Sequence, residues 1–400
     1  MVFVNKRVKE IKYAIRDIVV SAERLEKQGM NMLYLNIGDP VRFDFDTPEH
    51  MKEAFIQAVR DGYNGYAHSK GVEELRAAIV DKEKNYNNVR SLTPEDIIVT
   101  AGISEALAFV MAAIAAQGDE VLIPGPSYPP YISYARFFGI KPVTYRCVEE
   151  DGWQPDVDDL RSKITDRTRA LVVINPNNPC GSLYSEKLIK QLINIAGEND
   201  LLLLSDEIYD RIVYEDRTVS TASMAGDLPV IGFNGFSKVY LVPGWRLGYM
   251  YFHDPEEKIS ELRENIEKEG RIRLCASSPA QYAGIAALRG PQDHVKELVG
   301  RLRKRRDLTY KRLNEIEGLS CAKPKGAFYA FPKIEVLGKT WKDDKDFVLN
   351  LLNETGVVVV FGSGFCETYG RGHFRIVFLP PPETLESAFT KIESFIKAKM

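Results

Sequence analysis

The stretch VIGFNGFSKVYLVPGWRLGYMYF, residues 230–252, says most about the fold of this chain. It begins and ends with apolar runs, Val230–Phe233 and Tyr249–Phe252, in which hydrophobic and polar residues do not alternate. Such runs are typical of strands buried on both faces, as in a mostly parallel sheet covered by helices. Between them, Lys238 stands among small residues and Arg246 follows in a Pro-Gly turn. We therefore expect two buried strands joined by a loop that carries two cations.

The same pattern recurs upstream of this stretch. Further apolar runs, each followed by a polar or glycine-rich turn, are Ile97–Val99, Val121–Ile123, Leu171–Ile174 and Leu201–Leu204. The alanine-rich segment Ser104–Ala116 predicts a crossover helix between two of them. Strands that alternate with helices indicate an α/β domain. We expect a large domain with a mostly parallel central sheet over residues 46–290.

The character of the sequence changes after about residue 290. A long charged helix is predicted over His294–Ile316, followed by shorter strands around Ala327–Phe331, Val357–Phe361 and Phe374–Phe378 and by a final helix. Its basic cluster, Arg301–Arg306, is interleaved with Leu302 and indicates a solvated helix face, not a nucleic-acid site. We expect residues 291–400 to form a smaller α+β domain together with residues 1–45, which include an N-terminal arm.

Bulk composition excludes several classes of protein. The chain has 400 residues and a net charge of −3, so no general positive field attracts nucleic acid or acidic membranes. No apolar stretch is long enough to span a bilayer, and the N-terminus lacks the apolar core of a secretory signal. The five cysteines and five histidines are scattered without metal-ligand spacing. These features predict a cytoplasmic protein without a disulfide framework or a metal site.

Two cations in the opening stretch suggest a specific chemistry. The ε-amino group of Lys238 can form a Schiff base with an aldehyde cofactor, and Arg246 can hold the phosphate of that cofactor. Taken alone, each residue is an ordinary surface charge. Asp206 strengthens the interpretation, because it directly follows a buried run and needs a cationic partner such as a protonated pyridine nitrogen. The alternative for Asp206 is a helix N-cap.

Other residues follow the remaining predicted strands and suit the same cofactor. Tyr209, and Asn178 from an Asn-Pro-Asn-Asn-Pro-Cys-Gly turn, can reach the phenolic oxygen of a pyridine ring. Residues 102–104 lead into a helix whose first N–H groups suit an anion, although Ser104 is equally suited to a simple N-cap. Tyr128 can stack on a flat ring, with loop packing as the alternative.

Taken together and in this order, these residues resemble the class I aminotransferases, which are pyridoxal 5′-phosphate (PLP) enzymes of fold type I. Within that family, the sequences of residues 11–16, 174–179 and 233–238 are most similar to those of the microbial alanine aminotransferases. The matching segments, which run from about residue 10 to the C-terminus, are Leu35–Pro40, Gly65-Tyr66, Gly102–Ser104, Tyr128, Asn178-Pro179-x-Gly181, Asp206-Glu207-x-Tyr209, Ser237-Lys238, Arg246 and Arg375.

The resemblance implies a role for each matching position. Lys238 forms the Schiff base with PLP and moves the proton between the substrate and the cofactor, Asp206 pairs with the ring nitrogen, and Tyr128 stacks on the ring. Tyr209 and Asn178 bond the ring oxygen. The phosphate is held by Gly102, Ile103, Ser104, Ser237 and Arg246, with Tyr66 from the neighbouring subunit of a homodimer. Three departures from the family pattern, none of which removes an essential group, are Gly235, Cys180 and Phe361.

For the substrate, the resemblance implies that Arg375 clamps the α-carboxylate, helped by Asn178 and the backbone at Gly38. The implied reaction is L-alanine plus 2-oxoglutarate giving pyruvate plus L-glutamate. Candidates for the distal carboxylate of glutamate are Tyr13 and Arg16, for which an ordinary amphipathic helix is an even alternative; Arg271 and Arg273 compete with them. Other possible activities are an aspartate or aromatic aminotransferase and a PLP-dependent β-lyase; a ligand-sensing regulator without turnover is least favoured.

Overall fold

A computed structural model describes residues 4–9, 11, 13–338 and 340–400, with the backbone alone for Lys6 and Asp17. Lys12, which belongs to the N-terminal stretch compared above, lies outside the described residues.

Helices cover much of the described chain. Their bounds are α1 Lys6–Lys9, α2 Ala14–Lys27, α3 Glu49–Arg60, α4 Glu73–Tyr86, α5 Ile103–Ile114, α6 Pro129–Phe138, α7 Val157–Ser162, α8 Glu186–Glu198, α9 Ser260–Arg273, α10 Ser278–Arg289, α11 Asp293–Glu315, α12 Asp344–Thr355 and α13 Pro382–Lys397. None of these described helices is long and apolar enough to cross a membrane.

The strands are mostly short. Their bounds are β1 Leu33–Tyr34, β2 Ile97–Thr100, β3 Glu120–Gly125, β4 Lys141–Val148, β5 Gln154–Pro155, β6 Thr168–Ile174, β7 Leu202–Asp206, β8 Val230–Gly235, β9 Gly248–His253, β10 Leu319–Ser320, β11 Tyr329–Ala330, β12 Lys333–Ile334, β13 Val357–Val358, β14 Val360–Phe361 and β15 Phe374–Val377.

A central sheet of eight strands has the order β2-β9-β8-β7-β6-β3-β4-β5. The neighbours from β8 to β4 pair in parallel, whereas β9 is antiparallel to both β2 and β8, and β5 is antiparallel to β4. The predicted mostly parallel α/β sheet is therefore confirmed. The prediction missed β4, in which Lys141, Thr144 and Arg146 interrupt the apolar residues and leave the strand only partly buried.

The sheet is buried because both of its faces are covered. Successive side chains of a strand point to opposite faces. In β6, Leu171 and Val173 belong to one hydrophobic cluster, whereas Val172 and Ile174 belong to the other, together with residues of α5 and α6. Unbroken apolar runs are thus required by burial on two sides, which explains why the sequence pattern identifies these strands.

The N-terminal segment pairs with the C-terminal part of the chain. Strand β1 is parallel to β13, with Leu33 opposite Val357 and Tyr34 opposite Val358. Strand β15 pairs with β11 and with β14, and the backbone N–H of Val377 donates to the carbonyl of Leu35. This pairing carries the segment after β1 to the edge of the central sheet. The domain bounds of 46–290, and of 1–45 with 291–400, stay a prediction.

The expectation of a solvated face at Arg301–Arg306 is wrong for two of its arginines. Arg305 is buried and donates to Asp44 Oδ1 at 2.7 Å, and Arg306, which has no exposed side-chain surface, pairs with Glu215. Asp44 and Glu215 come from segments far away along the chain. Because the helix pattern alone contains no trace of these partners, the sequence favoured the solvated interpretation.

Candidate active site

A cavity of about 430 Å³ lies at the carboxyl ends of β6 and β7, where Ile174 and Asp206 end their strands. Ligands of open α/β sheets bind at this edge. The residues predicted from the sequence that line the cavity are Tyr13, Arg16, Gly38, Ile103, Ser104, Tyr128, Asn178, Asp206, Tyr209, Ser237, Lys238, Arg246 and Arg375. Two other predicted residues, Gly102 and Tyr66, are not among the lining residues.

Gly102 lies behind the wall of the cavity. It precedes α5 with a φ of 75°, and a Cβ at this position would come within 2.5 Å of Arg246 Nη2. A side chain here would therefore displace the guanidinium of Arg246, which donates to the carbonyls of Pro243 at 3.0 Å and Ala101 at 3.3 Å. Tyr66 is 83% exposed and does not line the cavity of its own chain.

Lys238 faces the cavity from the loop after β8. Its Nζ donates to the carbonyl of Gly38 at 2.8 Å. Burial lowers the pKa of Lys238 to about 8, with Asp39 opposing and Arg375 and Arg246 assisting the decrease. An amine with this pKa exchanges between its neutral and charged forms near neutral pH.

Asp206 is 4% exposed at the end of β7. Its Oδ2 accepts a hydrogen bond of 2.8 Å from the hydroxyl of Tyr131, and its Oδ1 accepts one of 3.2 Å from the N–H of Ile208. Burial raises the pKa of Asp206 to about 6, and these hydrogen bonds oppose the increase. No described residue forms an ion pair with Asp206, so a cationic group in the cavity would compensate its charge.

Arg375 is an almost fully buried cation in β15. Its Nη1 donates to Asn178 Oδ1 at 2.9 Å and its Nη2 donates to the carbonyl of Asn36. The guanidinium carbon lies 4.6 Å from the ring centroid of Tyr329 and 4.8 Å from that of Phe365. Burial lowers the pKa of Arg375, and Nε has no hydrogen-bond partner among the described residues. Such a fork suits a carboxylate ligand.

Tyrosines surround the centre of the cavity. The hydroxyls of Tyr209 and Tyr329 are 2.8 Å apart, and those of Tyr13 and Tyr128 are 3.4 Å apart. A Cβ on Gly38 would come within 2.3 Å of the Tyr329 hydroxyl, so the chain passes Tyr329 closely only because residue 38 is a glycine.

Three polar side chains in or beside the cavity were not among the predicted site residues. They are Asp39, Tyr131 and Tyr329. Tyr131 was detectable, since it lies nearly one helical turn after Tyr128 and so on the same side of α6. Tyr329 comes from β11 and has no local signal that places it at the edge of a distant sheet.

The candidates for the distal carboxylate separate into two groups. Tyr13 lies just before α2 and Arg16 lies in its first turn, and both residues line the cavity. Arg271 lies 3.6 Å from Glu267 Oε2, and Arg273 pairs with Glu105 and donates to the carbonyl of Val99 at 3.1 Å. Neither Arg271 nor Arg273 lines the cavity of its own chain.

The groups in the cavity fit PLP at each of its ends. Lys238 supplies an amine, Asp206 a buried carboxylate without a cationic partner, and Tyr128 a flat aromatic ring. Arg246 lies beside the first turn of α5. The close fit of Arg246 against Gly102 places its guanidinium at the start of α5. Within the described ranges, no cluster of three or more histidine, cysteine or acidic side chains is placed to hold a metal ion.

Comparison with known proteins identifies close relatives over almost the full chain. Residues 30–392 match the model of the family described as aminotransferase class I and II. An alanine aminotransferase of Mycobacterium tuberculosis is 40% identical over 98% of this chain and 92% of its own length. The glutamate-pyruvate aminotransferase AlaA of Escherichia coli is 39% identical over 98% and 97%, respectively. A solved structure described as an alanine aminotransferase from Pyrococcus furiosus superposes with a TM-score of 0.97, at 55% identity and over 99% and 100% of the two chains.

Proposed function

Since this chain belongs to the class I and II aminotransferase family, we propose that it transfers the amino group of L-alanine to 2-oxoglutarate, giving pyruvate and L-glutamate. The observation that carries the proposal is one cavity that contains Lys238, Asp206 and Arg375. The cofactor is PLP, which supplies an aldehyde that accepts the amino group and a ring that withdraws electrons from the substrate.

Lys238 is the proposed catalytic base and acid. Its pKa of about 8 leaves a substantial neutral fraction at neutral pH, so its Nζ can take a proton and return it. The carbonyl of Gly38, 2.8 Å away, orients the amine. A lysine fully exposed to water would be almost entirely protonated at this pH and would be a poor base.

Asp206 is proposed to hold the ring nitrogen of the cofactor in its protonated form. Above a pH of about 6 its carboxylate is ionised and lacks a cationic partner, which favours a positive charge beside it. Tyr128 is proposed to stack on the ring, and Tyr209 and Asn178 to bond the ring oxygen. The proposed phosphate ligands are Gly102, Ile103, Ser104, Ser237 and Arg246.

Arg375 is proposed to bind the α-carboxylate of both substrates, with Asn178 and the backbone at Gly38 beside it. The buried guanidinium has two fixed nitrogens and aromatic walls, which hold it in one orientation. Tyr13 and Arg16 are the proposed partners of the distal carboxylate of glutamate and 2-oxoglutarate. Their position on the cavity wall supports this assignment over Arg271 and Arg273.

We further propose a cytoplasmic homodimer with shared active sites. The exposure of Tyr66 outside its own cavity suits a residue that acts in a second copy, and five free cysteines suit a reducing compartment. A mixture of Tyr66→Leu and Lys238→Ala chains tests the shared site. Heterodimers regain activity if Tyr66 completes the partner's cavity, and they stay inactive if Tyr66 acts within its own chain. Full activity of Tyr66→Leu by itself would show that Tyr66 has no role in the site.

The amino donor is tested with the purified holoenzyme and L-alanine in the absence of any oxo acid. We expect the visible absorption of the bound cofactor to disappear and to return on addition of 2-oxoglutarate, and we expect this change to be absent from Lys238→Ala. A response to L-aspartate or L-phenylalanine but not to L-alanine would reject the proposed substrate and keep the reaction type. With a β-substituted amino acid such as L-cysteine, release of the β-substituent, ammonia and an oxo acid without any need for 2-oxoglutarate would indicate a β-lyase instead.

A further inference from the structure

A second cavity, of about 750 Å³, adjoins the candidate active site without sharing a lining residue with it. Its walls come from the first residue of α2, from α6, from β4, from the first residues of α12 and from residues 361–371. It is larger than the active-site cavity, so it can take a ligand larger than a small amino acid. Neither the proposed reaction nor the proposed PLP site uses any of its residues.

The charges in this second cavity are predominantly positive. Arg136, Lys345 and Arg371 line it, and Glu367 is the acidic residue among its described lining residues. Arg136 Nη1 is 4.0 Å from Glu367 Oε1, which is a long ion pair. Within the described part of the chain, no carboxylate lies within ion-pair distance of Lys345 or Arg371. Among the described lining residues, the cations therefore outnumber the carboxylates by two.

Apolar and aromatic side chains form part of the remaining wall of the second cavity, together with the hydroxyl-bearing residues Thr144, Ser363 and Thr368. Ile132, Pro142, Phe361 and Phe365 line it beside the three cations. The ammonium group of Lys345 lies 5.6 Å from the ring centroid of Phe361, so a charged and an aromatic surface meet at one place. Cations beside an apolar surface are complementary to a ligand that combines an acidic group with an apolar body.

We propose that the second cavity binds a small organic anion with an apolar body, such as an aromatic carboxylate. The cations that would hold the acidic group come from three separate segments: α6, α12 and the loop between β14 and β15. Their convergence places one ligand in contact with both the central-sheet side and the C-terminal side of the molecule.

Occupancy of this site affects the active site, because adjacent residues of the same segments line the two cavities. Pro129 lines the second cavity and Tyr128 the first; Ala14 lines the second, and its neighbour Tyr13 the first. Packing here is tight, since a Cβ on Gly364 would come within 2.2 Å of the Ala14 Cβ. A ligand in the second cavity therefore changes the position or the mobility of the starts of α2 and α6, which hold Tyr13 and Tyr128 in place.

The test is calorimetric titration of the holoenzyme with 2-naphthoate, with the uncharged 2-naphthamide as a control of the same shape. We expect 2-naphthoate to bind one site per chain and 2-naphthamide to bind more than about tenfold more weakly. Arg375→Gln should retain 2-naphthoate binding, because that change affects only the active site. The triple variant Arg136→Gln/Lys345→Gln/Arg371→Gln should lose it by more than about tenfold, with unchanged basal turnover.

Three outcomes would overturn the proposal. Equal binding of 2-naphthamide would show an apolar cavity without anion selectivity, and loss of binding in Arg375→Gln would place the probe in the active site. We expect saturating 2-naphthoate to change the KM for the amino donor by about twofold or more, and we expect no such change in the triple variant. An unchanged KM in the wild type would reject the coupling between the two cavities. If the triple variant does not fold, the single change Arg371→Gln, at an exposed side chain, replaces it. None of these results depends on which amino acid is the donor.

Discussion

The hydroxyl of Tyr131 donates a hydrogen bond of 2.8 Å to Oδ2 of Asp206, and both groups are buried. Tyr131 lies in α6, nearly one turn after Tyr128. The start of one helix therefore carries both the residue proposed to stack on the ring and the residue that contacts the Asp206 carboxylate. Burial raises the pKa of Asp206, and the Tyr131 hydroxyl is the first of the groups that counteract this effect. Tyr131 therefore helps to keep a negative charge at the position proposed for the ring nitrogen.

Replacing Tyr131 by phenylalanine should raise the pKa of Asp206 above about 6 and weaken PLP binding at pH 6 to 7. The loss of one hydrogen bond to a buried charge corresponds to a roughly threefold to tenfold or larger decrease in affinity. The acid limb of the pH profile of kcat/KM should move to higher pH. Tyr134→Phe is the matched control, because its ring packs against Phe138 in the same helix. Identical acid limbs in Tyr131→Phe and wild type would contradict this role.

Loading of the apoenzyme with PLP should accelerate as the pH rises to about 8 and then level off. Lys238 must be neutral to react with an aldehyde, and its pKa of about 8 makes the neutral fraction fall about tenfold per pH unit below that value. Stopped-flow absorbance measures the rate. Asp39→Asn should shift the profile to lower pH, since Asp39 raises the pKa of Lys238. A rate that continues to rise up to pH 10 would mean that Lys238 has the pKa of an ordinary lysine.

The sequence predicted those parts of the site that follow buried parallel strands. Asp206 ends β7 and the segment of Lys238 follows β8; because these strands are neighbours in the sheet, the proximity of the two residues follows from the strand pattern. Other contributions left no such signal. Tyr329 reaches the cavity through pairing of β11 with β15, and the carbonyl of Asn36 reaches Arg375 through the pairing of β1 with β13. Asn36 and Arg375 are 339 residues apart in the chain, and Tyr329 is 120 residues from Tyr209, whose hydroxyl it contacts, so these contacts depend on tertiary packing.

Replacing Arg16 by alanine should raise the KM for 2-oxoglutarate by about tenfold and leave the KM for L-alanine nearly unchanged. The physical reason is that only the oxo acid has a distal carboxylate, and one charge-assisted contact is worth about this factor. Arg24→Ala is the control, because this exposed arginine lies in the last turn of the same helix, outside the cavity. Equal changes in the KM values for both substrates would show that Arg16 does not bind the distal carboxylate. Arg271 and Arg273 would then be the remaining arginine candidates.

The buried carboxyl of Glu207 should make the stability of the protein depend on pH. Its Oε1 accepts hydrogen bonds from Ser205 Oγ at 2.8 Å, Ser220 Oγ at 3.0 Å and the N–H of Thr221 at 3.0 Å, whereas Oε2 has no partner among the described residues. Burial, followed by the nearby Glu83, raises the pKa of Glu207 from 4.5 to about 8. In the folded protein the carboxyl therefore keeps its proton through the neutral range.

Between pH 4.5 and about 8, Glu207 is ionised in the unfolded chain but protonated in the folded protein. Its contribution to the stability of the fold is therefore fully present below pH 4.5 and decreases as the pH rises to about 8. A glutamine at this position cannot ionise in either state. Glu207→Gln and wild type should therefore have similar Tm values at pH 5, and the variant should be more stable by at least about 2 °C at pH 8. Thermal unfolding by circular dichroism measures this difference, with Glu53→Gln, at an exposed carboxyl on α3, as the control. A Tm difference that does not change between pH 5 and pH 8 would mean that Glu207 ionises in the folded protein much as it does in water.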